Sequence, residues 1–342
     1  MREIIGGSAK DDGFFMPAEW HPHSRCWMAW PCRSEVWGED FALAETAYAR
    51  IASSIVDFEP VTMLAGPEQV QRARVKLDSR VEILELPIDD SWVRDNGPNF
   101  LIDRHGRLAA SGWRFNAWGQ KYSPFEQDAA VARSIAEILD VDFYNFPLTA
   151  EGGGISVDGE GTVLTTEQCL LNSNRNPGWN KAEVEAMLCA SLGVEKVIWL
   201  PGDPEDDETD GHVDGLAAFV RPGLVLVQHT LDKNSRRFEI HRANIEALEG
   251  ERDARGRPLN LVFIEEAHEA ETWGPTFCLS YLNSYLANGA VIMPSYGTPG
   301  DRPAKEVYED LYPDRTIVQV PIRGDAVGGG GIHCITQQQP LV

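Results

Sequence analysis

The sequence predicts an α/β protein in which hairpin-plus-helix units repeat and close into a ring. Four strand hairpins follow one another at intervals of roughly 55 to 65 residues, a spacing typical of repeated structural units. Amphipathic helical patterns lie between the hairpins, and no linker divides the 342 residues, so we expect a single domain over residues 1–342. An open α/β sheet with irregular connections is the alternative, but the chain has no GxGxxG or GxxxxGK[ST] fingerprint to favour it.

The segment before the first hairpin predicts strands and one helix. Residues 26–31 are a short apolar run that a proline ends, as expected for a buried strand. A helix follows, because apolar residues then recur at steps of three and four. These residues are Phe41, Ala44, Tyr48, Ile51, Ile55 and Phe58. Residues 61–65 and 81–86 read as two further strands.

Each of the four hairpins joins two strand-like runs through a turn-forming segment. The paired runs are 99–103 with 107–110, 155–157 with 162–166, 216–220 with 224–227, and 281–286 with 290–293. Helical patterns between or after them occupy 131–138, 184–192, 238–245 and 304–311. The terminal strands around Cys26 and Cys334 would supply a fifth unit, and the polar residues before each hairpin would collect at the centre of the ring.

Composition limits the class of protein and its partners. A hydrophobic fraction of 43% supplies a substantial core, and 53 acidic against 30 basic residues give a formal charge of −23. This charge repels phosphate backbones and anionic lipid surfaces, so we expect neither nucleic acid nor membrane as a partner. The six cysteines are dispersed without CxxC spacing, and no signal peptide or membrane-spanning run is evident, which predicts a cytoplasmic protein with free thiols.

A glycine run at 328–331 leads directly into His333 and Cys334 near the C-terminus. Four glycines let the backbone approach another group closely or adopt positive φ without a Cβ clash. The simpler alternative is a flexible loop followed by a buried structural cysteine. If the segment is extended, neighbouring side chains point to opposite faces, so we expect His333 to face away from the sulfur and to be structural.

Two polar segments precede the first two hairpins. Residues 89–98 combine Trp92, Arg94 and Asp95 in a turn-prone stretch, and Glu151 is followed by three glycines. Taken alone, the first could be an exposed acidic loop with an ion pair at Arg94, and the second a simple turn. Both segments lie directly before a hairpin, so they occupy equivalent positions in successive units.

A third polar segment, residues 208–214, places His212 and Asp214 two positions apart. If this stretch is extended, both side chains face one pocket while Val213 packs behind them. Metal binding and a solvated acidic strand are the alternatives, but no second histidine pair completes a metal site, so we predict no metal and no cofactor. A thiol needs a base or a lowered pKa to act as a nucleophile, and His212 is the proton partner we expect for Cys334.

Several carboxylates around a cysteine would oppose an oxyanion but suit a cation. A guanidinium is planar, stays protonated and presents paired N–H groups that bind carboxylates in a bidentate manner. Asp95 and Asp214 could clamp such a group for attack by Cys334, and its charge would favour the thiolate. The pattern therefore indicates hydrolysis at the guanidinium carbon of a small cationic substrate.

Seven segments together resemble the agmatine deiminases of the guanidino-group modifying superfamily, which also includes peptidylarginine and arginine deiminases. They are MPAEW at 16–20, WVRDNGP at 92–98, FNAWG at 115–119, EGG at 151–153, NRNP at 174–177, ETDGHVD at 208–214 and GGGIHCITQQ at 329–338. The resemblance covers nearly the whole chain. It implies a pentein-type, five-bladed α/β propeller with pseudo-fivefold repeats around a central active site, and deimination without a metal or cofactor.

Carried over residue by residue, the resemblance also implies roles for the candidate site. Cys334 would be the nucleophile, His212 the general acid and base, and Glu151 the partner that orients His212 or handles its proton. Asp95 and Asp214 would clamp the guanidinium group. Agmatine would give N-carbamoylputrescine and ammonia through an S-alkylthiouronium intermediate, as a step of putrescine and polyamine biosynthesis.

The distal ammonium of agmatine needs an anionic or aromatic receiver, for which Trp92, Trp118 and Glu208 are the candidates. Two departures from the family pattern, Asn96 and Ser156, leave open the amine chain that the pocket accommodates. We also expect a homo-oligomer, specifically a dimer.

Three other functions remain open at this point. The first keeps the chemistry and changes the substrate to free or peptidyl arginine. The second is a papain-like cysteine hydrolase acting on amides, which would need an oxyanion hole and tolerates the acidic surroundings poorly. The third is a cation-binding protein that uses the carboxylate clamp without catalysis.

Overall fold

The computed structural model describes residues 1–267, 278–322 and 328–342, which form an α/β fold. The strands are β1 (Glu3–Ile5), β2 (His23–Ala29), β3 (Val61–Ala65), β4 (Glu82–Glu85), β5 (Asn99–Ile102), β6 (Leu108–Arg114), β7 (Asp142–Thr149), β8 (Ser156–Val157), β9 (Thr162–Thr166), β10 (Lys196–Leu200), β11 (Ala217–Arg221), β12 (Leu224–His229), β13 (Asn260–Glu265), β14 (Tyr285–Ala287), β15 (Ala290–Ser295), β16 (Thr316–Pro321) and β17 (Thr336–Pro340). The helices are α1 (Ser34–Trp37), α2 (Phe41–Val56), α3 (Val70–Lys76), α4 (Val93–Asn96), α5 (Ala117–Gln120), α6 (Asp128–Leu139), α7 (Glu167–Leu170), α8 (Lys181–Leu192), α9 (Phe238–Leu248) and α10 (Asp301–Leu311).

The strands of the described residues belong to five mixed sheets. Their strand orders are β1-β7-β6-β5, β10-β9-β8, β11-β12-β13, β14-β15-β16 and β17-β2-β3-β4. Each sheet contains an antiparallel pair and a third strand parallel to one member of that pair. Parallel neighbours need a crossover connection, and α2, α6, α8, α9 and α10 lie in these connections. Within the described ranges the five sheets stay separate and do not join into a closed barrel.

The hairpins and intervening helices predicted from the sequence are confirmed. The terminal strands also form the expected fifth unit, because β17 pairs antiparallel with β2 and places Gln338 opposite Cys26. The fourth hairpin differs in one respect, since its first strand begins at Tyr285 rather than at residue 281. Residues 281–284 turn instead, because Ser284 Oγ donates to the Tyr281 carbonyl at 2.8 Å and the Asn283 side chain bonds to the C-terminal turn.

The apolar stripe of α2 packs where the sequence pattern placed it. Ala44, Tyr48, Ile51 and Ile55 are all fully buried in the core cluster that also contains β3 and β15 side chains. Burying a large apolar side chain contributes about 1.5–3 kcal/mol, so this stripe holds the helix to two different sheets. None of the helices in the described part of the chain combines the length and the hydropathy needed to span a bilayer.

Candidate active site

The polar side chains of one site come from five turns, and each of these turns leads into a strand of a different sheet. Four of these turns precede the hairpin of their sheet along the chain, and the fifth precedes β17, whose antiparallel partner β2 lies near the N-terminus. They are α4 before β5, the 3-10 turn Gly152–Gly154 before β8, the 3-10 turn Val213–Gly215 before β11, residues 281–284 before β14, and residues 332–335 before β17. The side chains in or beside these turns are Asp95, Glu151, His212, Asp214, Asn283 and Cys334.

Cys334 lies in a turn, not in the extended segment that was expected. Its Sγ atom is 3.3 Å from Asn283 Nδ2 and 3.5 Å from Asp214 Oδ2. The glycine run before it allows a close approach, because a Cβ on Gly328 would lie 2.2 Å from the Trp37 ring. Glycine at this position therefore lets the chain reach the site past a buried aromatic ring.

Asp95 is buried and held from two directions. Its Oδ1 accepts from the Gly153 backbone at 2.9 Å, and its Oδ2 accepts from Trp118 Nε1 at 2.9 Å. Arg94 beside it is also buried, which excludes the exposed acidic loop considered as an alternative. The backbone N–H of Arg94 donates to the Cys334 carbonyl at 3.2 Å, so this hydrogen bond joins the turn that carries Asp95 to the turn that carries the thiol.

Glu151 is fully buried between a histidine and an arginine. Its Oε2 lies 3.4 Å from His212 Nε2, and its Oε1 accepts from Arg175 Nε at 2.6 Å. Cys169 Sγ lies 3.7 Å from the same Oε2. The expected pairing of Glu151 with His212 is therefore present, and a buried guanidinium compensates the charge of the carboxylate.

His212 and Asp214 flank the start of a 3-10 turn, so the extended conformation expected for them is wrong. Their side chains nevertheless reach one point. A Cβ placed on Gly153 would lie 2.7 Å from His212 Nδ1, 2.8 Å from Asp95 Oδ1 and 3.0 Å from Asp214 Oδ2. The absence of a side chain at Gly153 thus lets an imidazole and two carboxylates converge.

As the sequence predicted, the imidazole of His333 does not bind the sulfur of Cys334, but it does contact the site through Asp214. Its Nδ1 lies 2.9 Å from Asp214 Oδ2, and its Nε2 lies 2.9 Å from Glu19 Oε1. The imidazole therefore bridges two carboxylates instead of contacting the sulfur of Cys334. His333, the neighbour of Cys334 in this turn, thus fixes the orientation of Asp214.

The remaining predicted residues line a narrow recess that opens beside Cys334. Trp92, Trp118 and Glu208 all contribute to its walls. Tyr122 completes this lining and donates from its hydroxyl to Glu208 Oε2 at 2.8 Å. A second recess next to the thiol is lined by acidic groups together with Arg237. These groups are Asp203, Glu205, Asp206, Asp207, Glu208 and Asp214.

Burial and charge set the protonation of the two reactive groups. Burial, followed by the charge of Asp214, raises the pKa of the Cys334 thiol well above its ordinary value. Burial alone would lower the pKa of His212, but the charge of Asp95 and hydrogen bonds to Cys169 and Glu151 raise it well above the usual range. At neutral pH the site therefore holds a neutral thiol and a protonated imidazole unless another cation enters.

The carboxylates divide into two groups. Burial would raise the pKa of Asp214 and Glu151, but His333 lowers that of Asp214, and Arg175 lowers that of Glu151. Burial raises the pKa of Asp95 despite the attraction of His212. Asp95 is thus the carboxylate whose charge depends most on a cation in the site.

Glu151, Cys169 and His212 are the described residues that could hold a metal ion. Their ligand atoms all lie within 4.8 Å of one another and are buried. A thiol, an imidazole and a carboxylate form a donor set that suits zinc. Arg175 already provides a positive charge at Glu151, so the trio is electrostatically satisfied as a hydrogen-bonded group.

Four residues of the site had no role in the sequence-based prediction. Arg175 lies within the family-like segment 174–177, and this position in the motif was the signal that could have found it. Cys169, Asn283 and Tyr122 gave no such signal, because their contacts form only when separate turns meet.

Comparison with known proteins assigns the chain to a family. Residues 15–340 match the Porphyromonas-type peptidyl-arginine deiminase family. The agmatine deiminases of Stutzerimonas stutzeri and Pseudomonas fluorescens are 44% and 42% identical to the chain over 360 residues, which cover 98% of the chain and 98% of each relative. A solved structure of the agmatine deiminase of Enterococcus faecalis aligns with a TM-score of 0.96 at 37% identity and covers 100% of both chains. The chain therefore belongs to the Porphyromonas-type peptidyl-arginine deiminase family, together with the agmatine deiminases that it matches along nearly its whole length.

Proposed function

We propose that the protein hydrolyses agmatine to N-carbamoylputrescine and ammonia through a covalent intermediate on Cys334, as a step of putrescine and polyamine biosynthesis. The observation that carries the proposal is the convergence of Asp95, Asp214 and His212 on the space beside Gly153. Cys334 Sγ lies 3.5 Å from one of these carboxylates, so a cation bound between them would be in reach of the sulfur. The names of the relatives and of the solved structure supply independent support.

The two aspartates suit the guanidinium group of the substrate. A guanidinium offers paired N–H donors, and carboxylates accept them in a bidentate manner. Asp95 and Asp214 come from different turns, and each is fixed by other donors, so the remaining lone pairs of their oxygens are preorganised for the substrate. A bound guanidinium would also lower the pKa of Cys334 by placing a positive charge beside it.

The opposite end of agmatine is an ammonium group, which suits the recess next to the thiol. Trp92 and Trp118 provide aromatic surfaces, and the Glu208 carboxylate provides a counter-charge held by Tyr122. Free arginine carries a carboxylate near this end, which Glu208 and the acidic second recess would repel. The surroundings therefore favour agmatine over arginine.

In the first half of the proposed reaction, binding of the guanidinium lowers the pKa of Cys334 so that its proton is lost to solvent, and the thiolate then attacks the guanidinium carbon to form a C–S bond. His212, protonated and held by Glu151, donates its proton to one amino group, and ammonia leaves as the C–N bond breaks. The product is an S-alkylthiouronium cation on Cys334 and a neutral imidazole. Asp95 and Asp214 stabilise this cation as they did the substrate.

In the second half, water attacks the thiouronium carbon while neutral His212 accepts one of its protons. The C–S bond then breaks, the thiolate leaves, and the ureido product is released after loss of the remaining hydroxyl proton to ammonia or solvent. His212 is protonated again at the end. The cycle thus uses one histidine first as an acid and then as a base.

We also propose that the five sheets are the blades of a five-bladed propeller and that residues 1–342 form a single catalytic domain. The support is a closed series of contacts between successive units. β17 packs against β5, α8 against β7, β8 against β11, α10 against β13, and α2 against β16. The last contact returns to the sheet that contains β17, and the turn before each hairpin then faces the centre.

A product assay tests the proposed function. The protein is incubated with agmatine, arginine and a blocked arginine peptide in parallel, with a chelator present, and ureido product and ammonia are measured. We expect turnover of agmatine that the chelator does not change, and its loss in Cys334→Ser, while Cys189→Ser in α8 serves as the thiol control. Preference for the peptide would assign the chain to peptidyl arginine deimination instead, and no ammonia from any substrate would contradict deimination.

A further inference from the structure

We propose that Asn283 is a further catalytic residue, whose side-chain amide donates a hydrogen bond to the sulfur of Cys334 and another to the clamp carboxylate Asp214. This inference rests on the proposed role of Cys334 as the nucleophile. Asn283 Nδ2 lies 3.3 Å from Cys334 Sγ and 3.1 Å from Asp214 Oδ2. The amide thus contacts the reacting atom and the substrate clamp at once.

The orientation of this amide is set by a backbone group that can only donate. The His333 N–H donates to Asn283 Oδ1 at 2.9 Å. The oxygen of the amide must therefore face His333, which leaves the NH2 group facing the sulfur and the carboxylate. An NH2 group has two hydrogens and no acceptor site, so it matches an ionised sulfur and an ionised Asp214.

The site is shaped to receive this side chain. Asn283 is only 1% exposed, and a Cβ on Gly331 would lie 2.5 Å from its Oδ1. Glycine at position 331 thus leaves the space that the amide fills. The position also follows the pattern of the fold, because the turns that precede β5, β8, β11 and β17 each contribute a polar group to the site, and the turn before β14 contributes Asn283.

A donor to the sulfur is needed because the surrounding charges oppose ionisation. Burial raises the pKa of Cys334, and Asp214, Cys278 and Asp95 raise it further, while the Gly331 backbone lowers it. His212 lines the same recess and carries the balancing positive charge. In the neutral state the S–H can donate to Asp214 Oδ2 at 3.5 Å or to Asn283 Oδ1 at 3.6 Å, and in the thiolate state Asn283 Nδ2, at 3.3 Å, becomes the donor.

The test measures the reactivity of Cys334 without any substrate. The rate of carboxamidomethylation by iodoacetamide is followed from pH 6 to pH 10 by mass spectrometry of the peptide that contains Cys334, for wild type, Asn283→Ala and Asn283→Asp. A hydrogen bond to a charged group changes the equilibrium about 10- to 100-fold, so we expect Cys334 to react about 10- to 100-fold more slowly near neutral pH in Asn283→Ala. The alkylation profile should shift to higher pH, and kcat/KM for agmatine should fall in parallel.

Two controls separate this role from a structural one. Ser284→Ala loosens the turn that carries Asn283 without removing a group that contacts the sulfur, so its alkylation profile should shift much less than that of Asn283→Ala, whereas a purely structural role would give similar shifts. Asn283→Asp keeps the acceptor for the His333 N–H and the side-chain size, so it provides a folded variant if Asn283→Ala unfolds. Wild-type alkylation profiles in the folded Asn283 variants would overturn the proposal. Because alkylation needs no agmatine, this outcome is distinct from a failure of the proposed substrate.

Discussion

At the residue scale, each reactive group is held by donors from a turn other than its own. Asp95 accepts from Gly153 and Trp118, and Asp214 is bound by Asn283 and His333. These contacts leave the carboxylates with fixed positions before a substrate arrives, which reduces the reorganisation needed during catalysis. The same arrangement concentrates negative charge near Cys334, and this charge keeps its thiol protonated until a cation binds.

Replacing Asp214 with asparagine tests this electrostatic account. Asp214 raises the pKa of Cys334, so its neutral isostere should lower that pKa and shift the alkylation profile of Cys334 to lower pH. Agmatine turnover should nevertheless fall by at least about 100-fold, because half of the guanidinium clamp is lost. Alkylation by iodoacetamide and ureido product formation are measured on the same preparation. A profile that shifts to higher pH would contradict the assigned direction.

The kind of chemistry that the site residues support could be predicted from the sequence, whereas many of their contacts could not. A thiol, a histidine and several carboxylates before successive hairpins indicated a guanidinium site, and Cys334, His212, Glu151, Asp95 and Asp214 do come together. Asn283 could not be predicted, because its amide acts through contacts to two residues that are distant in sequence. The direction of an asparagine side chain in a loop leaves no periodic pattern.

At the scale of the elements, the 3-10 turn Gly152–Gly154 joins the site to the fold. A Cβ on Gly152 would lie 2.1 Å from the backbone oxygen of Arg94, whereas a Cβ on Gly153 would meet the side chains of the site. Adjacent glycines in one turn thus serve different purposes. The first permits close packing of two turns, and the second keeps the substrate space open.

Alanine at each glycine should separate these purposes. Gly152→Ala should lower the free energy of unfolding by about 1–3 kcal/mol, because backbone atoms must move. Gly153→Ala should leave stability nearly unchanged but lower kcat/KM for agmatine about 100-fold, since it displaces His212 and the clamp. Urea unfolding and the ureido assay measure both properties for each variant. Equal loss of stability in the two variants would contradict the assignment.

The backbone conformation of two turns was predicted incorrectly from the sequence. Residues 212–214 and 332–335 were expected to be extended, on the basis of alternation between the two faces of a strand. Instead, Thr336 Oγ1 donates to the Ile332 and His333 carbonyls, and Val213 begins a 3-10 turn. Local side-chain hydrogen bonds to the backbone compete with strand pairing and leave no two-residue period.

At the scale of the whole molecule, the chain ends are joined to each other in the sheet that positions the nucleophile. β17 begins at Thr336, two residues after Cys334, and pairs with β2 from the N-terminal part of the chain. Glu19 adds a second link, because its carboxylate contacts His333 at 2.9 Å and Arg94 at 3.7 Å. The position of the thiol therefore depends on segments that are more than three hundred residues apart in sequence.

The Glu19 link predicts a stability contribution that depends on pH. Burial would raise the pKa of Glu19, but His333 and Arg94 lower it from 4.5 to about 2. A lowered carboxyl pKa stabilises the fold above the unfolded value, and this contribution is lost as the pH falls from about 4.5 toward 2. Glu19→Gln should therefore lower the free energy of unfolding by about 1–3 kcal/mol at pH 7. This difference from wild type should shrink below pH 4.5.

Urea unfolding of Glu19→Gln at pH 7, 5 and 4 measures this effect. The exposed Glu68→Gln serves as the charge-matched control and should differ little from wild type at each pH. A deficit that grows as the pH falls would contradict the sign of the linkage.

The number of units and their arrangement in a ring were predicted from the sequence, but the contacts that join successive units were not. Turn residues between alternating runs mark each hairpin locally, and the spacing of the hairpins counts the units. Contacts such as those of β17 with β5 and α2 with β16 join residues far apart in sequence, so no local pattern encodes them. The pairing of the terminal strands was predictable because both ends lacked a partner of their own.

The covalent intermediate on Cys334 provides the most direct test of the account. Enzyme mixed with agmatine is quenched with acid during turnover and analysed by mass spectrometry of the intact chain and of the peptide that contains Cys334. We predict an adduct on Cys334 with the mass of agmatine less one ammonia, which forms at least as fast as the ureido product appears. Agmatine turnover without an adduct on Cys334, together with retained turnover in Cys334→Ser, would contradict it.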